Sequence, residues 1–124
     1  MLFDTFAWIE YFTKTQNTDK VKKILFESPQ CFTSAISLAE LSQWIEKENL
    51  NRSEILSNVK KLSLIIDLNN DLLEFAGIIN FNKRKSIKDF GLIDSIILAT
   101  AKAHNLQLVT GDKHFANEPN VLLL

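Results

Sequence analysis

Residues 91–101, Gly91-Leu-Ile-Asp-Ser-Ile-Ile-Leu-Ala-Thr-Ala101, form an apolar helical pattern interrupted by one carboxylate. At ~100° per residue, Ile97, Leu98 and Ala101 fall within about 60° of Asp94. Ser95 and Lys102 mark the wet side. A carboxylate on a buried face is costly unless something pairs with it, so Asp94 needs a partner. The spacing predicts a helix to about His104, followed by a strand at Gln107–Thr110 and by Gly111-Asp112. A buried helix feeding a short apolar strand is the repeating step of an α/β fold.

The same step recurs upstream. Met1–Phe3 reads as a strand ending at Asp4, and Thr5–Phe12 as a helix with Phe6, Ile9 and Phe12 inward. Asp19–Ser28 is a second helix, with Val21, Ile24 and Leu25 on one side, stopped by Pro29. Gln30–Ser34 is β-prone. Helices follow at Ser37–Glu48, with Leu38, Leu41 and Ile45 as its stripe, and at Ser53–Leu62. Leu64–Asp67 is a strand, Asp71–Asn82 a helix, and Lys83–Phe90 a polar link. Val121–Leu123 supplies a fifth strand. Strands alternating with helices predict a mostly parallel sheet with helices on both faces and right-handed connections. Short apolar strands suit a sheet covered on both sides.

The 124 residues are enough for one domain, expected to span 1–124. Hydrophobic content of 46% and charged content of 23% are those of an ordinary globular chain. The net charge of -1 leaves nucleic acid open as a partner, because a basic patch can sit on a neutral protein. No apolar run approaches ~20 residues, which excludes a transmembrane helix. The start, MLFDTFAWIEYF, carries Asp4 and Glu10 and has neither a basic leader nor a small-residue cleavage site, so no signal peptide is expected. Cys31 is the lone cysteine, which rules out an intrachain disulfide and suits a small buried hydrophobe. A cytoplasmic location is expected.

Four acidic residues fall at informative places. Asp4 ends the first strand, Glu40 opens the helix after the second, Asp94 opens the helix before the fourth, and Asp112 follows the fourth. In an open parallel sheet, strand carboxyl ends and the starts of the flanking helices share one edge, where ligands bind. Each acid also has a purely structural explanation. Asp4 could cap the following helix. Ser37-Leu-Ala-Glu40 fits a capping box. Asp94 could be a first-turn acid favoured by the helix dipole, and Asp112 a turn residue beside Gly111. Four unrelated caps, however, have no reason to converge on one edge. Neighbouring strand ends lie ~4.8 Å apart, and several carboxylates that close cannot all ionise unless a cation neutralises them. Oxygen ligands point to Mg²⁺ or Mn²⁺. Cys31, His104 and His114 show no zinc-ligand spacing.

Asp4-Thr5 after the first strand, SLAEL with Glu40, LIDSIILATA with Asp94 and LVTGDKHF with Asp112 together resemble the four acidic motifs of PIN domains. The similarity is greatest to the small toxin ribonucleases of VapBC toxin–antitoxin pairs and runs over nearly the whole chain. It implies a three-layer α/β/α fold with a five-stranded parallel sheet ordered 3-2-1-4-5. It also implies hydrolysis of RNA phosphodiester bonds, with Mg²⁺ (or Mn²⁺) held by Asp4 and Asp94 with help from Asp112. Glu40 would take a proton from the attacking water or hold a second ion. Thr5, Ser95 and Thr110 are candidate hydroxyls for orienting the carboxylates. One departure stands out: many relatives have a serine two places after the first aspartate, where this chain has Phe6.

Lys83, Arg84 and Lys85, with Lys88 nearby, and Lys113 and His114 beside Asp112 are candidates for RNA phosphate contacts, or a solvated face. Trp8, Tyr11 and Trp44 are candidates for an apolar partner surface, whereas Phe6 and Phe12 suit the core. By resemblance, the partners are an RNA substrate, a cognate antitoxin and a second copy in a homodimer, with no membrane. A haloacid-dehalogenase-type phosphatase would need a second aspartate where Phe6 stands. A response-regulator receiver would need a paired acid after the first strand and a lysine after the fifth; Asp4-Thr5 and VLLL supply neither. A PIN-like scaffold that binds RNA or protein without cleaving is the remaining alternative.

Overall fold

The computed structural model describes residues 1–124. Along the chain lie β1 (Leu2–Phe3), α1 (Thr5–Phe12), α2 (Thr18–Glu27), β2 (Phe32–Ser34), α3 (Ala35–Lys47), α4 (Arg52–Leu62) and β3 (Leu64–Ile66). They are followed by α5 (Asn70–Lys83), α6 (Leu92–Ala103), β4 (Leu108–Thr110), a 3₁₀ turn (Lys113–Phe115) and β5 (Val121–Leu123). All strand pairs are parallel, in the order β3-β2-β1-β4-β5. The strands are a residue or two shorter than the sequence suggests, mostly at their starts, and helices follow β1 and β2 directly. Asp4 caps α1 directly after Phe3, accepting from the Ala7 amide at 2.7 Å.

The period-two alternation of β1 and β4 divides the core. Leu2 and Leu108 pack with Leu72, Ala76, Ile79, Leu98 and Phe115 under α5 and α6. Phe3 and Val109 pack with Trp8, Val21, Leu25, Leu41 and Val59 under α1 to α4. Cys31 belongs to this second cluster, and burial pushes its thiol up to about 12, so it is an inert core residue. No helix is long and apolar enough to cross a membrane.

Three details correct the expectations. First, α1 turns Ala7 and Trp8 inward and leaves Phe6 42% exposed. Trp8 is therefore core rather than partner surface. Its indole N–H donates to Thr33 Oγ1 at 3.0 Å, and Thr33 meets Ser63 Oγ at 2.7 Å, so burial strands no donor. Tyr11 and Trp44 are half-buried against the same core. Several large exposed side chains are instead grouped on α5, at Leu73, Phe75, Ile78 and Phe81.

Second, α3 begins at Ala35, straight from β2. Ser37 thus lies inside the helix, fully buried, and Ser37-Leu-Ala-Glu40 is not a capping box. Third, Ser95 is fully buried, and the wet side of α6 is Leu92, Ile93 and Lys102. Ser95 Oγ donates to the Gly91 carbonyl at 3.1 Å and accepts from Asn80 Nδ2 at 3.0 Å. Asn80 Nδ2 also donates to the Phe90 carbonyl at 2.9 Å. Asn80 therefore ties the end of α5 to the start of α6 and fixes the turn that carries Asp94.

Candidate active site

The carboxyl ends of β1 and β4 build the centre. The Asp4 amide donates to the Val109 carbonyl at 3.1 Å, which continues the β1–β4 pairing by one residue and brings Asp4 beside Thr110. Thr110 Oγ1 donates to Asp4 Oδ2 and accepts from the Asp112 amide at 3.0 Å. One hydroxyl thus joins the first carboxylate to the loop holding the fourth. Asp112 caps the 3₁₀ turn, accepting from the His114 amide at 2.9 Å. Glu40, in the second turn of α3, accepts from Thr5 Oγ1 at 2.5 Å. Asp94 sits half-buried in the first turn of α6 against the Gly91 backbone N–H.

Asp4, Glu40, Asp94 and Asp112 all line one open cleft of about 600 Å³, with Lys113 and His114 on its rim. The tightest group is Asp94, Asp112 and His114, whose ligand atoms lie within 4.8 Å of one another. Asp4 stands slightly apart, its two oxygens already accepting from Ala7 and Thr110. His114 is the member that sequence spacing did not suggest as a ligand. Its Nδ1 lies 3.1 Å from Asp112 Oδ1 and its Nε2 3.1 Å from Asp89 Oδ2.

The charges crowd. Burial, chiefly, pushes the Asp4 carboxyl up to about 7; hydrogen bonds from Thr110 and Ala7 oppose it, and the Glu40 and Asp112 charges add to it. Asp94 is also raised, first by burial, then by Asp112 and Glu40. His114 is raised by Asp112 first and by Asp89, so the imidazolium form is favoured. Four carboxylates crowded into one cleft, two of them raised for lack of counter-charge, fit a divalent cation bound through oxygen.

The other candidate residues separate. Thr5 and Thr110 touch carboxylates, whereas the Ser95 hydroxyl is committed to Asn80 and Gly91 and orients none of them. Lys83 lies in α5 and pairs with buried Glu118, which also meets Lys102 Nζ at 3.4 Å, so its charge is engaged away from the acidic cleft. Arg84 donates to the Lys88 carbonyl, Lys85 lies over the Phe81 ring at 4.8 Å, and both flank a separate shallow pocket. Lys113 and His114 alone of the basic candidates border the carboxylates.

Among solved structures, the fold is similar to a toxin–antitoxin complex from Klebsiella pneumoniae, with 27% identity and a TM-score of 0.79 over 98% of this chain and 94% of that one. It is also similar to FitAcB from Neisseria gonorrhoeae, at 24% identity and a TM-score of 0.77 over 98% and 95% of the two chains. A third likeness is to VapC20 of Mycobacterium tuberculosis, described as a Sarcin-Ricin loop cleaving toxin, at 18% identity and a TM-score of 0.75 over 95% and 94%. The last two show the fold alone. No curated protein matches the chain by sequence. The PIN domain profile matches residues 1–119, and with the sheet order and the acidic cleft already described, the chain belongs to the PIN domain family.

Proposed function

We propose that the chain is a metal-dependent endoribonuclease and the toxin of a VapBC-type toxin–antitoxin pair. The observation that carries this is the convergence of four carboxylates from β1, α3, α6 and the β4 loop on one cleft. Asp94 and Asp112 would hold a Mg²⁺ or Mn²⁺ ion, with Asp4 beside them. When bound, the ion supplies Lewis-acid activation of the phosphate and of a water molecule near neutral pH. Glu40 is held by Thr5 through Oε1, which leaves Oε2 to take the proton of the attacking water. Lys113 and His114 would face the phosphates flanking the scissile bond. An antitoxin chain and a second copy of this chain complete the assembly, and the exposed Phe75, Ile78 and Phe81 on α5 offer an apolar docking surface.

The test is incubation of purified protein with cellular RNA in Mg²⁺, in Mn²⁺ and in EDTA, with the new RNA ends mapped. Cleavage at discrete sites in either metal and none in EDTA is expected. Equal cleavage in EDTA would overturn the metal dependence, and no cleavage in either metal would overturn the nuclease reading and leave a non-catalytic scaffold. Thr110→Val keeps the strand shape but removes the hydroxyl shared by Asp4 and the Asp112 amide. Activity should fall roughly 10- to 100-fold, the usual cost of losing a group that orients a ligand. A Thr110→Ser variant should recover most of it; equal loss in both would reject the orienting role.

A further inference from the structure

Phe6 lies in the first turn of α1, two residues beyond Asp4. Its neighbours Ala7 and Trp8 are fully buried, whereas Phe6 is 42% exposed. A single exposed aromatic ring needs no explanation by itself. This one, however, lines the cleft that holds all four carboxylates, where Ile9 and Ile97 are the other apolar lining residues.

The ring also has a built seat. A Cβ placed on Gly111 would fall 2.1 Å from Phe6 Cε1 and 2.3 Å from Cδ1. No glycine in the chain has a positive φ, so backbone conformation does not require glycine at position 111. Room for the ring does. Phe6 is therefore backed by the main chain between Thr110 and Asp112, two residues already tied to the acidic centre. The cleft thus offers two chemistries side by side: carboxylates suited to a cation-bridged phosphate, and a supported aromatic surface with no use for a phosphate or a ribose.

We propose that Phe6 is a stacking platform for an unpaired nucleobase beside the scissile phosphate. The assignment rests on the ribonuclease function proposed above. A base inside a duplex already has both faces stacked, whereas an unpaired base can lay one face on an aromatic side chain. Because every base has a π-face, Phe6 confers a preference for strandedness rather than for sequence.

The probe is a short unstructured oligoribonucleotide carrying fluorescein, alone and annealed to its complement. Phe6→Leu keeps an apolar group on Gly111 but removes the π-face. Its KM for the single strand should rise about tenfold, the typical effect of losing one base–aromatic stack, while kcat stays within about threefold. Phe6→Trp should bind at least as tightly as wild type. Gly111→Ala leaves the phenyl group in the sequence but pushes it off its seat, and should raise KM in the same direction. In the Asp94→Asn background, the dissociation constant should show the same Phe6 dependence without cleavage, and thermal melts confirm folding. An unchanged KM and dissociation constant in Phe6→Leu, or equal handling of single strand and duplex by wild type, would overturn the stacking role while leaving ribonuclease activity intact. Absence of any wild-type cleavage would instead overturn the ribonuclease function, and the binding comparison would still decide whether Phe6 stacks.

Discussion

Replacing Asp94 by asparagine should eliminate RNA cleavage and leave the fold standing. Asparagine keeps the shape and can still accept from the Gly91 backbone N–H at the start of α6. What it loses is the charge that a divalent ion needs, in the group where Asp94, Asp112 and His114 approach within 4.8 Å. Groups that merely orient a ligand cost 10- to 100-fold when removed, so loss of a direct ligand should exceed about 100-fold. Stability should move the other way. Asp94 is held above the usual carboxylate range by burial and by the Asp112 and Glu40 charges, and a neutral amide escapes both costs. A melting temperature at or above that of wild type in metal-free buffer, together with lost cleavage, is the expected pair of results. Undiminished cleavage would remove Asp94 from the centre, and a collapsed melting transition would make the side chain structural.

The parts of this site legible in sequence are those whose geometry is local. Asp4, Asp94 and Asp112 each sit at a strand end or helix start, and alternation of elements puts such places on one edge. The misread residues depend on contacts that no local window contains. Ser95 looks like a wet marker on a helical wheel, but it bonds its own Gly91 carbonyl, and Asn80 reaches it from another helix. The Ser37–Glu40 spacing imitates a capping box because the true start of α3 is set by where β2 ends. Lys83 reads as part of a basic loop until Glu118, 35 positions on and itself buried, meets it as a charge partner at the end of α5. Phe6, in line with Ile9 and Phe12 at three-residue spacing, reads as core in sequence. The phase of α1 is fixed instead by the Asp4 cap and by the indole of Trp8, which has a hydrogen-bond partner waiting inside.

Without divalent metal, the protein should lose stability as pH rises from about 4 to about 7. Asp4 is the main cause. Its carboxyl titrates near 3.8 when solvated and near 7 when folded, so the folded state binds the proton more tightly than the unfolded chain. That preference is fully present below the unfolded value and is lost as pH climbs through the folded one. A displacement of this size corresponds to about 4 kcal/mol. Asp94 and His114, both raised, act with the same sign: each favours the protonated folded form. A divalent cation reverses the trend, because it binds the ionised carboxylates and competes with the protons. At 100 times its dissociation constant it would add about 2.7 kcal/mol. Melting temperatures in EDTA should therefore fall between about pH 4 and about pH 7, and added Mg²⁺ or Mn²⁺ should raise the value at the higher pH far more than at the lower. Asp4→Asn should flatten the EDTA profile, since the amide has no proton to lose. A profile that is flat in wild type, or a metal effect equal at both pH values, would mean that the buried carboxylates neither hold protons nor exchange them for a cation.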